Sequence, residues 1–280
     1  MRFMKMHGAG NDFVLVDARD EERDWPRLAQ AMLDRRFGVG GDQMLLVEDS
    51  DRAHLRMRTF NPDGSEAEIS GNGIRCFVKH ALDEGLVPGK RTDMVVETLA
   101  GLHHLTAHIS DGKVDWLRVG MGMPRLAPAE IPVAANGVTT VVDHPLDVGG
   151  RRIHVTCVSV GNPHAVAFIN GSVDDWPLAR LGPLVEMNPF FPKRVNFEIV
   201  NVVSRDLLKV RVWERGTGET LACGTGASAI GVAARLKGLM DGRVSLDMPG
   251  GRLHVEWDGQ GEVMLEGPAA LVFVGAWPGP

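Results

Sequence analysis

The chain has 280 residues, 44% hydrophobic and 24% charged, a composition that supports a packed core and excludes disorder. Its 30 basic and 36 acidic side chains leave a net charge of −6, so it lacks the basic surface that nucleic acid or an anionic membrane would need. No stretch approaches the roughly 18 apolar residues of a bilayer-spanning helix, and Met1-Arg-Phe-Met-Lys-Met-His-Gly has no signal-peptide run. The three cysteines, Cys76, Cys157 and Cys223, have no C-x-x-C spacing. They argue against a disulfide framework or a zinc site and point to a reducing cytoplasm.

Strands dominate the pattern. Residues 13–17, 43–48 and 54–60 read as strands, the last with clean period-two alternation. A helix is predicted over 25–36, with Pro26 in its first turn and Gly38 beyond its end. A second helix is predicted over 72–83. The Pro-rich stretch 123–132 has little periodicity and is the candidate linker. Beyond it, strands are predicted at 152–160, 165–169, 207–213, 243–248, 252–257 and 262–266, separated by Gly, Pro and Asp turns that suggest antiparallel pairing. An Ala-rich helix over 224–237 ends at Gly238. Each half thus carries strands, a Gly-led helix and more strands.

The two Gly-led helix starts resemble each other. Glu68-Ile-Ser-Gly-Asn-Gly-Ile-Arg-Cys76 and Leu221-Ala-Cys-Gly-Thr-Gly-Ala-Ser-Ala229 each place a small acid–base side chain before Gly-x-Gly and an apolar helix. A helix start presents unpaired N–H groups and a partial positive charge. Glycines let an anion approach those groups closely. Two such starts would cradle one carboxylate, with Ser70 and Cys223 on opposite sides of the bound molecule. That suits a reaction taking a proton from one face of a carbon and returning one to the other. A helix N-terminus also lowers a thiol's pKa from about 8.5, which favours Cys223 as the base. Cys76 lies six residues past Ser70, about 9 Å along a helix axis. Its neighbours Phe77 and Val78 mark a helix interior, and Cys157 in an alternating strand is likewise core.

At these residues the chain resembles the diaminopimelate epimerase family over nearly its full length. The motifs run in the family's order: Met4-Lys-Met-His-Gly-Ala-Gly-Asn-Asp-Phe13, Phe37-Gly-Val-Gly-Gly-Asp-Gln43, Asn61-Pro-Asp-Gly-Ser65 with Gly71-Asn-Gly-Ile-Arg-Cys76, and Val160-Gly-Asn-Pro-His164. Arg194-Val-Asn196 and Glu214-Arg-Gly-Thr-Gly-Glu-Thr-Leu-Ala-Cys-Gly-Thr-Gly226 complete the series. The resemblance implies an α+β fold of two pseudo-symmetric domains, residues 1–122 completed by 269–280 and residues 123–268. Each domain would be a β-barrel-like antiparallel or mixed sheet around a central helix, with the active site in the interdomain cleft. It implies no cofactor and no metal, a homodimer, and conversion of LL-2,6-diaminopimelate to the meso form by a thiolate–thiol pair.

The resemblance also implies roles. The reacting carboxylate meets the N–H groups of Gly71, Asn72, Gly224 and Thr225, and Glu214 holds the adjacent ammonium group. Asn61, Asn196 and the Arg215 guanidinium read the distal centre. Asn11, Gln43 and Asn162 line the site, with His164 beside them. Several neutral amides with balanced charges are what a doubly zwitterionic substrate needs.

Ser70 departs from the family, which ordinarily has its first catalytic cysteine there. Serine donates a proton but is a far poorer base than a thiolate, because general catalysis favours groups titrating near the working pH. Cys76 is too deep in its helix to replace it. Three explanations stand at this point: a natural Ser/Cys pair, as in related hydroxyproline epimerases; an engineered replacement; and loss of epimerase activity. Two other functions compete, racemisation of another amino acid on the same scaffold and a catalytically impaired amino-acid-binding protein. A nucleotide site is disfavoured, since neither Gly-x-Gly element completes a βαβ fingerprint. Zinc binding through His103 and His104 is disfavoured because adjacent strand residues face opposite ways.

Overall fold

A computed structural model describes residues 1–89 and 91–279. The chain divides into two compact units, one formed by Met1–Val119 together with the stretch from Glu266 onward, the other by Gly120–Leu265. The Pro-rich stretch 123–132 lies in the second unit, where Arg125 pairs with Ser159 and Ile131 joins the core.

In chain order the first unit holds β1 (Arg2–Gly8), β2 (Asn11–Asp17), α1 (Trp25–Leu33), β3 (Gln43–Glu48) and β4 (Leu55–Phe60). It continues with β5 (Glu66–Ala67), α2 (Gly71–Asp83), β6 (Asp93–Thr98), β7 (Gly101–Ser110) and β8 (Lys113–Gly120). The second unit holds β9 (His144–Val148), β10 (Arg151–Ser159), β11 (Pro163–Phe168), α3 (Leu178–Glu186) and β12 (Asn196–Ser204). Then come β13 (Leu207–Glu214), β14 (Gly218–Thr220), α4 (Gly224–Leu236), β15 (Arg243–Met248) and β16 (Gly251–Glu256). After β17 (Met264–Pro268), β18 (Ala270–Ala276) pairs antiparallel with β1.

The units repeat one topology. In the first, β1 runs antiparallel to β2, β2 parallel to β3, β3 antiparallel to β4, and β4 parallel to β6. In the second, β10, β11, β12, β13 and β15 follow the same sequence of pairings. Turn-rich spacing suggested antiparallel pairing between neighbouring strands, but α1 and α3 serve as crossovers for the parallel β2–β3 and β11–β12 steps, and α2 and α4 lie between the parallel β4–β6 and β13–β15 partners. The fold is α+β, with two pseudo-symmetric units that are each a mixed, barrel-like sheet around a helix.

Each central helix is buried nearly all round, as a helix enclosed by strands must be. Helix α2 packs on β1, β2, β3, β7 and β18, and α4 on β10, β11, β12, β15 and β16. Helix α1 is a surface helix instead, burying Trp25, Leu28, Ala29, Met32 and Leu33 at helical spacing. It starts where the Asp24 carboxylate accepts from the Arg27 N–H at 3.2 Å. It ends three residues earlier than the sequence pattern suggested, because the Asp34 carboxylate captures the Arg36 and Phe37 N–H groups and turns the chain. Helix α3 had no clear sequence signal, with Pro183 inside it.

Candidate active site

The two helix starts are built alike. Ser70 caps α2 at φ −128°, ψ 114°, and its Oγ accepts from the Gly73 N–H at 3.2 Å. Cys223 caps α4 at φ −127°, ψ 117°, and its Sγ accepts from the Gly226 N–H at 3.4 Å. Both caps are 10% exposed or less, Ser70 at 9% and Cys223 at 7%. The second glycine of each motif is required by close packing. A Cβ at Gly73 would lie 2.9 Å from the Ser70 Cβ, and one at Gly226 would lie 2.9 Å from Glu198 Oε1.

In the first unit the remaining expected residues gather at neighbouring strand ends. Phe13 and Gln43 pair in register, which sets the start of β2, with Asn11, beside the start of β3. Asn11 donates to Asp42 and accepts from the Asn72 amide at 3.3 Å. Gln43 donates to Asn61 Oδ1 at 2.9 Å, and Asn61 donates to Ser65 Oγ at 3.0 Å. Gly71 opens α2 beside them.

In the second unit His164 pairs in register with Asn196. Asn196 donates to the Pro163 carbonyl and accepts from the Arg215 N–H at 2.8 Å. Glu214 accepts from Thr220, and the exposed Arg215 guanidinium donates to the Lys193 carbonyl at 3.1 Å. Asn162 meets the His164 Nε2 at 2.8 Å, and Thr225 Oγ1 lies 3.4 Å from Cys223 Sγ.

Sequence reading did not single out four residues that support this arrangement. Glu198 is wholly buried and meets His164 Nδ1 at 2.6 Å, and its second oxygen has no hydrogen-bond partner among the described residues. A lone carboxylate in the apolar run of β12 was the available signal. Glu186 on α3 accepts from the Trp213 indole and the Gly216 N–H, bracing the turn that carries Glu214 and Arg215. Gly182 admits the Trp213 ring, which would touch a Cβ there at 2.4 Å. Arg75 in α2 is fully buried.

The cysteines sort by environment. Burial pushes Cys76 and Cys157 up to about 12. Cys223 does not have the lowered pKa expected of a helix N-terminus. Burial raises it, and the nearby Glu214 and Glu198 raise it further. Thr225 and the Gly226 N–H pull the other way and do not win, because desolvation penalises the thiolate more than two weak donors reward it.

Comparison with known proteins places the fold and the family. Solved structures sharing the fold include a Bacillus anthracis phenazine biosynthesis protein, 18% identical with a TM-score of 0.71 over 98% of this chain and 97% of that one. Another is a hydroxyproline epimerase from Agrobacterium vitis, 16% identical with a TM-score of 0.68 over 98% and 90%. The protein is therefore built on the scaffold shared by these enzymes. The sequence pattern of diaminopimelate epimerase matches residues 3–127 and 156–272. Diaminopimelate epimerases of Moorella thermoacetica and Desulforudis audaxviator are 47% and 49% identical, each over 99% of both chains. The chain belongs to the diaminopimelate epimerase family and is an isomerase.

Proposed function

We propose that this protein interconverts LL- and meso-2,6-diaminopimelate without a cofactor, with Cys223 and Ser70 as its acid–base pair. The observation that carries the reading is the matched pair of caps, each an acid–base side chain held by its own helix N–H within a family match spanning nearly the whole chain. The substrate's reacting carboxylate takes the N–H groups of Gly71, Asn72, Gly224 and Thr225. Its ammonium group sits against Glu214.

That ammonium contact also activates Cys223. Glu214 is, after burial, the largest cause of the raised Cys223 pKa. A bound cation neutralises Glu214 and so favours the thiolate at the moment the α-proton must be taken. Sγ then removes the proton and Ser70 Oγ–H returns one to the opposite face. Ser70 is the weaker partner, so the reaction is faster in the direction that uses Cys223 as base. Asn61, Asn196 and Arg215 read the distal amino-acid head, which favours diaminopimelate over a monofunctional amino acid. The enzyme acts in the cytoplasm on a small amino-acid substrate, with no nucleic-acid or membrane partner.

Solvent deuterium exchange at the α-carbons of LL- and meso-diaminopimelate tests this directly. Exchange with inversion supports the reading. Tight binding without exchange would replace it with the binding protein, and exchange confined to other amino acids would replace it with a different racemase. A homodimer is proposed with it, supported by β18, where the consecutive Leu271, Val272, Phe273 and Val274 are 45–56% exposed. Light scattering that finds only monomer at working concentration would remove that part.

A further inference from the structure

Among the described residues Arg75 is the largest fully buried side chain, and no carboxylate there pairs with it. Its three hydrogen bonds go to neutral oxygens. Nη2 donates to Asn72 Oδ1 at 2.7 Å, Nη1 to the Gly71 carbonyl at 3.2 Å, and Nε to the Pro268 carbonyl at 3.4 Å. Burial lowers it to about 10, which leaves the guanidinium charged at neutral pH. A buried, unpaired charge is costly.

The second unit shows that the helix start does not need this charge. Ser228 occupies the matching position of α4, and its hydroxyl donates to the Gly224 carbonyl at 3.0 Å. That is the same bond, four residues back, that Arg75 makes to Gly71. A neutral side chain serves the backbone there.

The other charges around α2 are already balanced. On β1 and β2, Lys5 pairs with Asp12, which also binds Arg35, and Asp17 pairs with Arg19. Glu48 at the end of β3 meets Arg58, and Lys79 meets Asp83 within α2. Strand β18 carries no charge. His7 on β1, Cys76 and His80 on α2, and His103, His104 and His108 on β7 are the remaining titratable groups on these elements, with Arg2 at the exposed start of β1; burial keeps the Cys76 thiol protonated, so it supplies no counter-charge. Glu68, two residues before Ser70, is exposed. None of these carboxylates pairs with Arg75.

We infer that Arg75 is a positioning residue whose uncompensated charge stabilises negative charge at the start of α2, on the group at position 70 and on the carboxylate held there. The carboxylate half rests on the proposed diaminopimelate reading; the half concerning position 70 does not. When Ser70 returns a proton, its O–H bond breaks, the new C–H bond forms, and the electron pair stays on Oγ. A buried cation hydrogen-bonded to Gly71 and Asn72, the two residues that follow Ser70, lowers the cost of that oxyanion, and so makes a serine usable where a thiol is ordinary. Nη2 also fixes the Asn72 amide so that its Nδ2 points to Asn11.

The test uses a thiol as a reporter. Ser70→Cys, Ser70→Cys/Arg75→Met and Ser70→Cys/Arg75→Lys are alkylated with iodoacetamide across pH, with the site-70 peptide followed by mass. Loss of the charge should raise the pKa of the thiol at position 70 by about one unit, an approximately tenfold slower reaction at neutral pH. Lysine should restore most of it. Arg75→Met also strips three oxygens of their donor, so its melting temperature is compared with that of Arg75→Lys, which keeps the charge and a donor. Calorimetry should show diaminopimelate binding about tenfold weaker in Arg75→Met. An unchanged alkylation profile overturns the inference, as does an equal loss in the Met and Lys variants with a lowered melting temperature. If the Met variant does not fold, Arg75→Gln is read by the same criteria. The alkylation arm needs no substrate, so a failure of the diaminopimelate reading leaves it decisive.

Discussion

The starts of α2 and α4 share one backbone and differ in what lies beneath it. Their cap angles agree within a few degrees, and each cap side chain accepts from the N–H three residues on. The register that pairs Phe13 with Gln43 pairs His164 with Asn196, so Phe13 and Leu45 in the first unit correspond to His164 and Glu198 in the second. Under Ser70 the sheet is apolar, and the buried charge is the cation Arg75. Under Cys223 lies an acid–histidine pair, with Ser228 where Arg75 would be. A repeated fold can therefore keep the geometry of a capped helix start in both halves while its electrostatics diverge. The half capped by serine has a buried cation with no carboxylate partner among the described residues, and the half capped by the thiol has the carboxylates.

The most severe way to break this comparison is Cys223→Ala. It should abolish α-proton exchange, a loss of about 10²–10⁴-fold for a general acid–base group, whereas Cys76→Ala should leave exchange largely intact. Equal losses, read by the deuterium assay, would put the chemistry elsewhere. Ser70→Cys should raise epimerisation, most in the direction that uses position 70 as base and on the order of 10²-fold there. Progress curves started from each stereoisomer would show it, and no gain in either direction would count against the pair.

Transplanting the first unit's apolar floor into the second comes next. Glu198→Leu alone leaves His164 Nδ1 without its partner in a dry site, and should cost roughly 1–3 kcal/mol in urea unfolding. The double variant His164→Phe/Glu198→Leu should recover most of that, since removing both partners leaves no orphaned polar group. A double variant as unstable as the single would mean that packing, and not the hydrogen bond between the two side chains, governs this floor.

The smallest effect is expected at Asp12. The Arg35 and Lys5 side chains hold its carboxyl well below the usual carboxylate range despite partial burial. A depressed folded-state pKa contributes stability above the ordinary pKa of about 4 and loses it as pH falls below that value. Asp12→Asn should thus lower the melting temperature by a few degrees at pH 7, with the gap closing below pH 4. A gap that widens in acid would reverse the assignment.

Much of this protein was legible in its residues. A short apolar run located β3 and strand alternation located β15 to the residue, and the two Gly-x-Gly helix starts announced the repeat and both caps. Those signals are local: period-two burial and helix N–H satisfaction act over a few residues. The tertiary structure decided what depends on distant neighbours. Parallel steps through α1 and α3 depend on crossovers that turn residues do not encode, and Pro183 concealed α3. The pairing of Glu198 with His164 joins residues 34 apart in the chain. Arg75 could be read as a residue but not as a buried cation with no carboxylate partner among the described residues. The same applies to Cys223. A thiol at a helix start reads as acidic from sequence, and only burial beside two carboxylates shows that its pKa is raised instead.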